Sequence, residues 1–416
     1  MRQVHVDSEK SNFPRDAYHK FRLNLPAGGW FPALQELSWR ITEQNHAYID
    51  VFSSPHLKEI SIYTGEWKWD RDVAPHHILE AVTFAVSALP VAPVLQSLSI
   101  DVHCITPPGY FKNTVSSVVL RCGPSLTAFS TTVTLSDAAA NHLIHLPHLR
   151  SWRIEGSPPS YSASPLPLVF PPLTNLILEK GAARGWLSLF QRLEDDTSTR
   201  RDATPLSRTK ESLKLLDVSD PSVPIINVSF ISPIQIFRTL VSLDVVAFCP
   251  DAVRRGQCTF GLNDDNVTEL AVALPQLEAL SLGHPCAENT CATTVACLLP
   301  ISVHCPKLGK LHIHFNTTNI VGDFKGISEK PRFREFHLLP RCTLSHLQVD
   351  RMPLTLDEPG SEIAVEGILS IFPYLGKLSG VEKSWHKISE RIERFQWLQA
   401  VLADVGECGL EFPLLA

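Results

Sequence analysis

The chain has 416 residues, beyond the roughly 250–300 that one compact core sustains. It therefore holds several domains or one extended repeat array in which each unit buries its face on the next. With 44% hydrophobic and 19% charged residues it reads as globular, and a net charge of -6 argues against a general nucleic-acid binder, which carries a basic excess.

The opening residues, MRQVHVDSEKSNFPRDAY, lack the apolar centre of a secretory signal. No run of about 18 apolar residues follows, so no membrane span is expected. A cytoplasmic or nuclear location is expected. In such a compartment the ten cysteines read as buried thiols rather than disulfides. The sequons at Asn227, Asn266 and Asn316 then carry no meaning.

One phrase recurs: L-x-x-Φ-x-Φ, where Φ is apolar, often with Pro just before its first Leu. It starts at Leu34 (LQELSW), Leu57 (LKEISI), Leu95 (LQSLSI), Leu126 (LTAFST, degraded), Leu149 (LRSWRI) and Leu173 (LTNLIL). It continues at Leu213 (LKLLDV), Leu240 (LVSLDV), Leu277 (LEALSL), Leu308 (LGKLHI) and Leu344 (LSHLQV). A last start at Leu375 (LGKLSG) fails at the third apolar position. Between Leu277 and Asn316 two phrases flank an apolar run long enough for a helix: strand, connection, helix, next strand. Spacing between starts ranges from 23 residues (Leu34 to Leu57) to 40 (Leu173 to Leu213), whereas regular leucine-rich repeats run about 20–29. The expected fold class is α/β: an irregular leucine-rich-repeat solenoid, a curved horseshoe. Short parallel strands would line its concave face, and helices or loops its convex face.

In chain order, residues 1–30 form an N-terminal cap or a disordered lead. Residues 31–381 form the repeat array. His76 to Leu89 has helical spacing of Ile78, Leu79, Val82 and Val86. Ser136-Asp137 can cap a helix running to Leu146, and Pro147 stops it. Residues 156–172 are Pro/Ser-rich and should be an extended loop. Residues 194–212 are charged and nearly free of apolar side chains, which predicts a mobile insertion; Thr197, Ser198, Thr199 and Ser207 there are candidates for phosphorylation. Residues 247–262 and 322–340 read as irregular connections. Asn263-Asp264-Asp265 caps a helix through Val267, Leu270, Ala271 and Leu274, with acidic residues at its favourable end. Residues 382–416 form a C-terminal capping helix and tail. Trp385 to Val405 carries Ile388, Ile392, Phe395, Leu398 and Leu402 on one stripe to cover the last repeat.

Four segments carry a family resemblance: LSDAAANHLIHLPHLRSW (135–152), LNDDNVTELAVALPQLEALSLG (262–283), CLLPISVHCPKLGKLHIHFNTTNI (297–320) and GILSIFPYLGKL (367–378). With them the chain resembles the leucine-rich-repeat proteins of basidiomycete fungi that often carry an N-terminal F-box. The resemblance covers about residues 31–390. It implies a substrate receptor of a cullin-type ubiquitin ligase: an F-box binds the adaptor, and the repeats bind the protein to be ubiquitinated. The F-box, a set of apolar helices opening on Leu-Pro, is not seen; the residues ahead of Leu34 are polar.

In a repeat strand the phrase's apolar positions point inward, and the residues between them point out. One outward column reads Ser38, Ser61, Ser99, Ser130, Arg153, Ile177, Asp217, Asp244, Ser281, His312, Gln348. The next reads Arg40, Tyr63, Asp101, Thr132, Glu155, Glu179, Ser219, Val246, Gly283, His314, Asp350. The first half is Ser-rich, the middle acidic, and the last part turns to His312, His314 and His346. The candidate partner-binding residues are Arg153, Glu155, Glu179, Asp217, Asp244, His312, His314, His346, Gln348 and Asp350. A basic segment of a partner could meet the acidic middle.

Cys286, Cys291, Cys297 and Cys305 lie near His284, His304, His312 and His314, but their spacings are wider than the tight pairs of structural zinc. Cys297 and Cys305 sit where buried thiols belong, so no metal or cofactor is expected. No G-x-S-x-G, phosphate loop or H-E-x-x-H occurs. The expectation is a non-catalytic protein–protein recognition module with no nucleic-acid or membrane partner, related to F-box receptors. A ubiquitin-independent scaffold is the alternative. A metal- or thiol-dependent enzyme using residues 284–314 is the remote one.

Overall fold

The computed structural model of the chain describes residues 2–6, 19–20, 23–24, 30–41, 46–52, 54–64, 83, 93–102, 111–155, 171–179, 182–183, 185–188, 190, 207–220, 227–247, 261–283, 292–329, 342–349, 356–380 and 383–407. All but one residue of the expected helix at 76–89, the Pro/Ser-rich stretch at 156–170 and the charged residues 194–206 lie outside them. Among the described residues the protein is α/β. Thirteen short strands are joined in one sheet in the order of the sequence, with helices between many of them. The chain divides into two compact units, residues 1–215 and 216–416.

The first unit holds β1 (Gln3–Val6), β2 (Glu36–Ile41), β3 (Glu59–Thr64), β4 (Ser97–Asp101), β5 (Ala128–Thr131), β6 (Ser151–Glu155) and β7 (Asn175–Glu179). Its helices are α1 (Lys112–Val119), α2 (Asp137–Ile144) and α3 (Ser207–Ser212). Successive strands pair in parallel. Their register aligns the phrase: Leu37, Ile60, Leu98, Phe129, Trp152 and Leu176 are direct neighbours, and none is more than 2% exposed. The degraded phrase at Leu126 places Thr131 in the third apolar column, beside Ile100. Thr131 tolerates burial because its hydroxyl accepts the Val133 amide at 3.1 Å.

The second unit holds β8 (Leu215–Asp220), which opens at the boundary, then β9 (Ser242–Ala247), β10 (Ala279–Gly283), β11 (Lys310–Ile313), β12 (His346–Val349) and β13 (Lys377–Ser379). Its helices are α4 (Val228–Ile231), α5 (Asp264–Ala273), α6 (Leu298–His304), α7 (Ile320–Glu329), α8 (Glu358–Ile371) and α9 (Lys383–Glu407). Strands β9 to β13 pair in parallel, with Leu243, Leu280, Leu311, Leu347 and Leu378 in one inward column.

Two devices repeat with the phrase. Its first Leu closes a turn, as where Leu308 donates to Cys305 O at 3.1 Å. All twelve of these leucines, Leu34 to Leu375, are at most 1% exposed. Then one carbonyl accepts two consecutive amides of the following strand's first residues. Gln96 O takes Thr127 and Ala128 at 2.7 and 2.9 Å, and Glu278 O takes Gly309 and Lys310 at 2.8 and 3.1 Å. The carbonyls of Arg2, Gln35, Lys58, Thr127, Arg150, Thr174, Val241, Gly309 and Ser345 do the same.

Helix ends follow the sequence. Ser136 caps α2 by accepting the Ala139 amide at 3.3 Å. Asn263 and Asn266 form a reciprocal capping box on α5, at 2.9 and 3.2 Å. Asp264 does more than place charge at a helix start. Its two carboxylate oxygens take the Thr294 amide and hydroxyl, both at 2.7 Å, tying α5 to the turn that leads into α6.

Gln3–Val6, within the expected N-terminal cap or lead, is a strand paired with β2, although it carries no phrase. Three expectations change. Ser207–Ser212, expected within a mobile insertion, is helical. Ile320–Glu329, expected as an irregular connection, is a helix with Ile320, Phe324 and Ile327 buried at i, i+4, i+7. Gly322 and Gly326 weaken its helix signal. Finally, α9 covers the array with only half of its stripe. Trp385, Ile388 and Ile392 are fully buried against β13 and α8, but Phe395 and Leu398 are 45% and 51% exposed.

The failed phrase at Leu375 has a steric reason. Gly380 stands at the missing apolar position, and a Cβ there would lie 2.8 Å from Trp385 Cβ and 2.9 Å from Val349 Cγ2. The Trp385 ring fills the space instead, edge-on to Phe315 at 6.2 Å. Restoring the phrase with Gly380→Leu should therefore destabilise the chain, by about 1–3 kcal/mol as for other overpacked cores. Urea unfolding checks this, and a neutral or stabilised variant would contradict the packing.

Candidate functional site

The side of the sheet opposite the core is the polar one. In the first unit, register places His5, Ser38, Ser61, Ser99, Ser130, Arg153 and Ile177 in one outward column. Arg40, Tyr63 and Asp101 stand in the next, as do Glu155 and Glu179. Small hydroxyls along the first column leave the backbone open to an incoming surface.

Of the candidate residues in this unit, Arg153 and Glu179 meet each other. Arg153 Nε and Nη2 both lie 2.9 Å from Glu179 Oε2. Glu155 is directly opposite Glu179 on the neighbouring strand, so the diagonal arginine relieves a like-charge pair. With 32% and 19% of their side chains exposed, Arg153 and Glu179 gain little stability from this ion pair. It fixes both heads in place.

In the second unit, Asp244, Ser281, His312, Gln348 and Ser379 are register neighbours in the outward column. Asp217, on β8, is half-buried and accepts the Ser219 hydroxyl at 3.0 Å. Asp244 keeps one carboxylate oxygen buried without a hydrogen bond. The His312 ring lies over Gly283, where a Cβ would approach its Cε1 to 2.6 Å, and its Nδ1 shares a 3.1 Å hydrogen bond with Ser281 Oγ. Gly283 thus gives His312 its resting place across the strand.

His346 Nε2 shares a 3.0 Å hydrogen bond with Ser379 Oγ. Partial burial, then the charges of Lys377, Lys310 and His312, hold its pKa below the ordinary 6.5. The unfolded chain takes up this proton more readily than the folded one. The resulting contribution to stability is present above 6.5 and is lost as pH falls through the lowered value.

His314 corrects the alternation argument. β11 ends at Ile313, and the chain turns inward, so that His314 and Phe315 are each 1% exposed. It cannot share an outward patch with His312. Asp350 lies outside the described residues. The sequence columns also passed over Lys310 and Lys377, which flank His346 in register on β11 and β13. Extending the outward column two residues back along each strand would have found them.

The described thiols are core groups. Cys122, Cys297, Cys305 and Cys342 are buried and form no disulfide among the described residues. Cys305 Sγ lies 3.7 Å from the carbonyls of Ala271 and Leu274, and burial pushes its pKa up to about 12. Burial likewise pushes Cys122 and Cys342 up to about 11. His284, Cys286 and Cys291 lie outside the described residues. Among the described residues no group of three His, Cys, Asp or Glu could hold a metal ion. No helix among them is long and apolar enough to cross a membrane.

Compared with known proteins, the chain matches no family model and no curated sequence.

Since the thiolate is the reactive form, the buried cysteines should resist alkylation in the folded chain. With iodoacetamide at pH 8, peptide mass spectrometry should find Cys122, Cys297, Cys305 and Cys342 unmodified, and all four modified in denaturant. Rapid labelling of Cys305 in the native state would contradict its placement.

Proposed function

We propose that this chain is a non-catalytic protein-recognition module, built as an irregular leucine-rich-repeat solenoid whose exposed strand face, the concave face of a horseshoe, binds a protein partner. One observation carries the reading. The phrase's apolar residues stand in register across successive strands in both units, which leaves the alternate residues as columns, mostly polar, on the other face. A repeat sheet of this kind offers an extended surface rather than a closed pocket. The binding residues are Arg153, Glu155, Glu179, Asp217, Asp244, His312, His346 and Gln348.

The resemblance to fungal F-box leucine-rich-repeat proteins supports a narrower form: the substrate-binding part of a ubiquitin-ligase receptor, acting in the cytoplasm or nucleus with adaptor and cullin subunits. The buried state of the described thiols favours structural roles for them, in keeping with a module that performs no chemistry.

The test is an affinity pull-down of the native, genome-encoded protein from its own cell extract, read by mass spectrometry. A variant with Ser61→Arg and Ser99→Arg on the outward column serves as control. Adaptor and cullin subunits together with proteins lost in the variant are expected. Partners lost in the variant without adaptor or cullin would make the chain a ubiquitin-independent scaffold. No protein retained through the sheet face would overturn the recognition reading.

A further inference from the structure

Each strand of the second unit has one further outward position, immediately before its first inward apolar residue. From β10 to β13 these positions are Ala279, Lys310, His346 and Lys377, each in register with the next. Strands lie about 4.8 Å apart, so two lysines and a histidine stand in a row about 10 Å long. Lys310 and Lys377 are exposed, and His346 is half-buried between them. Neither lysine has an ion-pair or side-chain hydrogen-bond partner among the described residues. Beside the row, the next outward column gives His312, Gln348 and Ser379, which can donate hydrogen bonds. Of the second unit's candidate carboxylates, Asp244 stands on β9, two strands from β11.

We propose that the row Lys310–His346–Lys377, with His312, Gln348 and Ser379 beside it, is a docking surface for an acidic peptide segment of a protein partner. The inference rests on the recognition reading above and names the chemistry that one part of the face accepts. Charge complementarity is the argument. Like charges on neighbouring strands repel, and neither lysine is ion-paired among the described residues. An extended peptide presents same-side groups about 6.6–6.8 Å apart, so two or three of its carboxylates span the two lysines. Its main chain can bond to Gln348 and Ser379. A nucleic acid wants a longer basic track, and here Ala279 ends the row on β10 and Asp244 follows beyond it.

Binding should also be linked to protons. The groups facing His346 are Lys310 and His312 from β11 and Lys377 from β13, and together with partial burial they oppose its protonation. An incoming carboxylate reverses that balance, so the complex takes up a proton at His346 and tightens as pH falls. The gain ends where the peptide's own carboxylates protonate, near about 4.3 for Glu.

The experiment measures fluorescence anisotropy of a fluorescein-labelled peptide of alternating Glu and Ser against the full chain at pH 7.5 and 5.5. A Lys/Ser peptide and an oligothymidylate of matched charge are the comparisons. Saturable binding of the acidic peptide is expected, several-fold tighter at pH 5.5. It should weaken at least tenfold in Lys310→Glu/Lys377→Glu, weaken less in the neutral pair Lys310→Gln/Lys377→Gln, and lose its pH dependence in His346→Gln. Circular dichroism should show all variants folded. The proposal is overturned by no saturable binding, by binding that survives both lysine pairs, or by oligothymidylate binding to the row at least as tightly. If the acidic peptide fails while extract proteins are still held through the Ser61 and Ser99 column, this inference falls and the recognition reading stands. If neither is held, both fall.

Discussion

A single backbone carbonyl accepting two consecutive amides from the next strand's opening residues is the contact on which the rest of each unit depends. Where Glu278 O receives Gly309 and Lys310, it sets the position of β11 along β10 before any side chain is counted. Once that position is set, Leu280 must stand beside Leu311 and Leu282 beside Ile313. A slip of one residue would turn Lys310 and His312 into the core, so the apolar columns and the carbonyl enforce the same register. The first Leu of each phrase supports both by anchoring the turn that delivers the amides. Losing one such buried Leu to Ala would cost about 2–5 kcal/mol, a large part of the stability of an ordinary domain.

The polar face is a consequence of this constraint. A strand that commits alternate side chains to the core leaves the others outside, and parallel register turns them into columns. The chemistry of each column is then free to vary. In the first unit one column is hydroxyls ending in Arg153 and Ile177. In the second the column passes from Asp244 through Ser281 to His312, Gln348 and Ser379. Among the described residues, the Asp264–Thr294 clamp ties a helix start to the next turn, and the Trp385 ring fills the core beside Gly380. The core and the outward face therefore use different residues of the same six-residue phrase.

Much of this was legible in the sequence because the phrase encodes position. Twelve leucine starts predicted twelve strands from β2 to β13, and capping residues such as Ser136 and Asn263 marked their helices. The misses share a cause: they depend on neighbours far away in sequence. β1 has no phrase and is a strand because β2 offers it an edge. α7 was hidden by Gly322 and Gly326, although Phe324 packs against Gly367 of α8. His314 was assigned by extending alternation past Ile313, where the strand had ended. Phe395 and Leu398 continue a helical stripe beyond the surface available to cover. At the site, Arg153 and Glu179 could be named from the columns, but their mutual pairing required the diagonal geometry of β6 and β7. Lys310 and Lys377 were overlooked because they precede the phrase's inner positions.

The most direct test of this account is amide hydrogen exchange, read at residue resolution in the native chain. If repeated carbonyls hold the strands in register, the paired amides at Thr127 and Ala128, Gly309 and Lys310, and Gly376 and Lys377 should be protected together. Their protection should approach that of the strand amides they lead into and vanish with global unfolding. Exchange of these pairs at the rate of unstructured peptide, while neighbouring helices remain protected, would show that the register is not set there and would contradict the account.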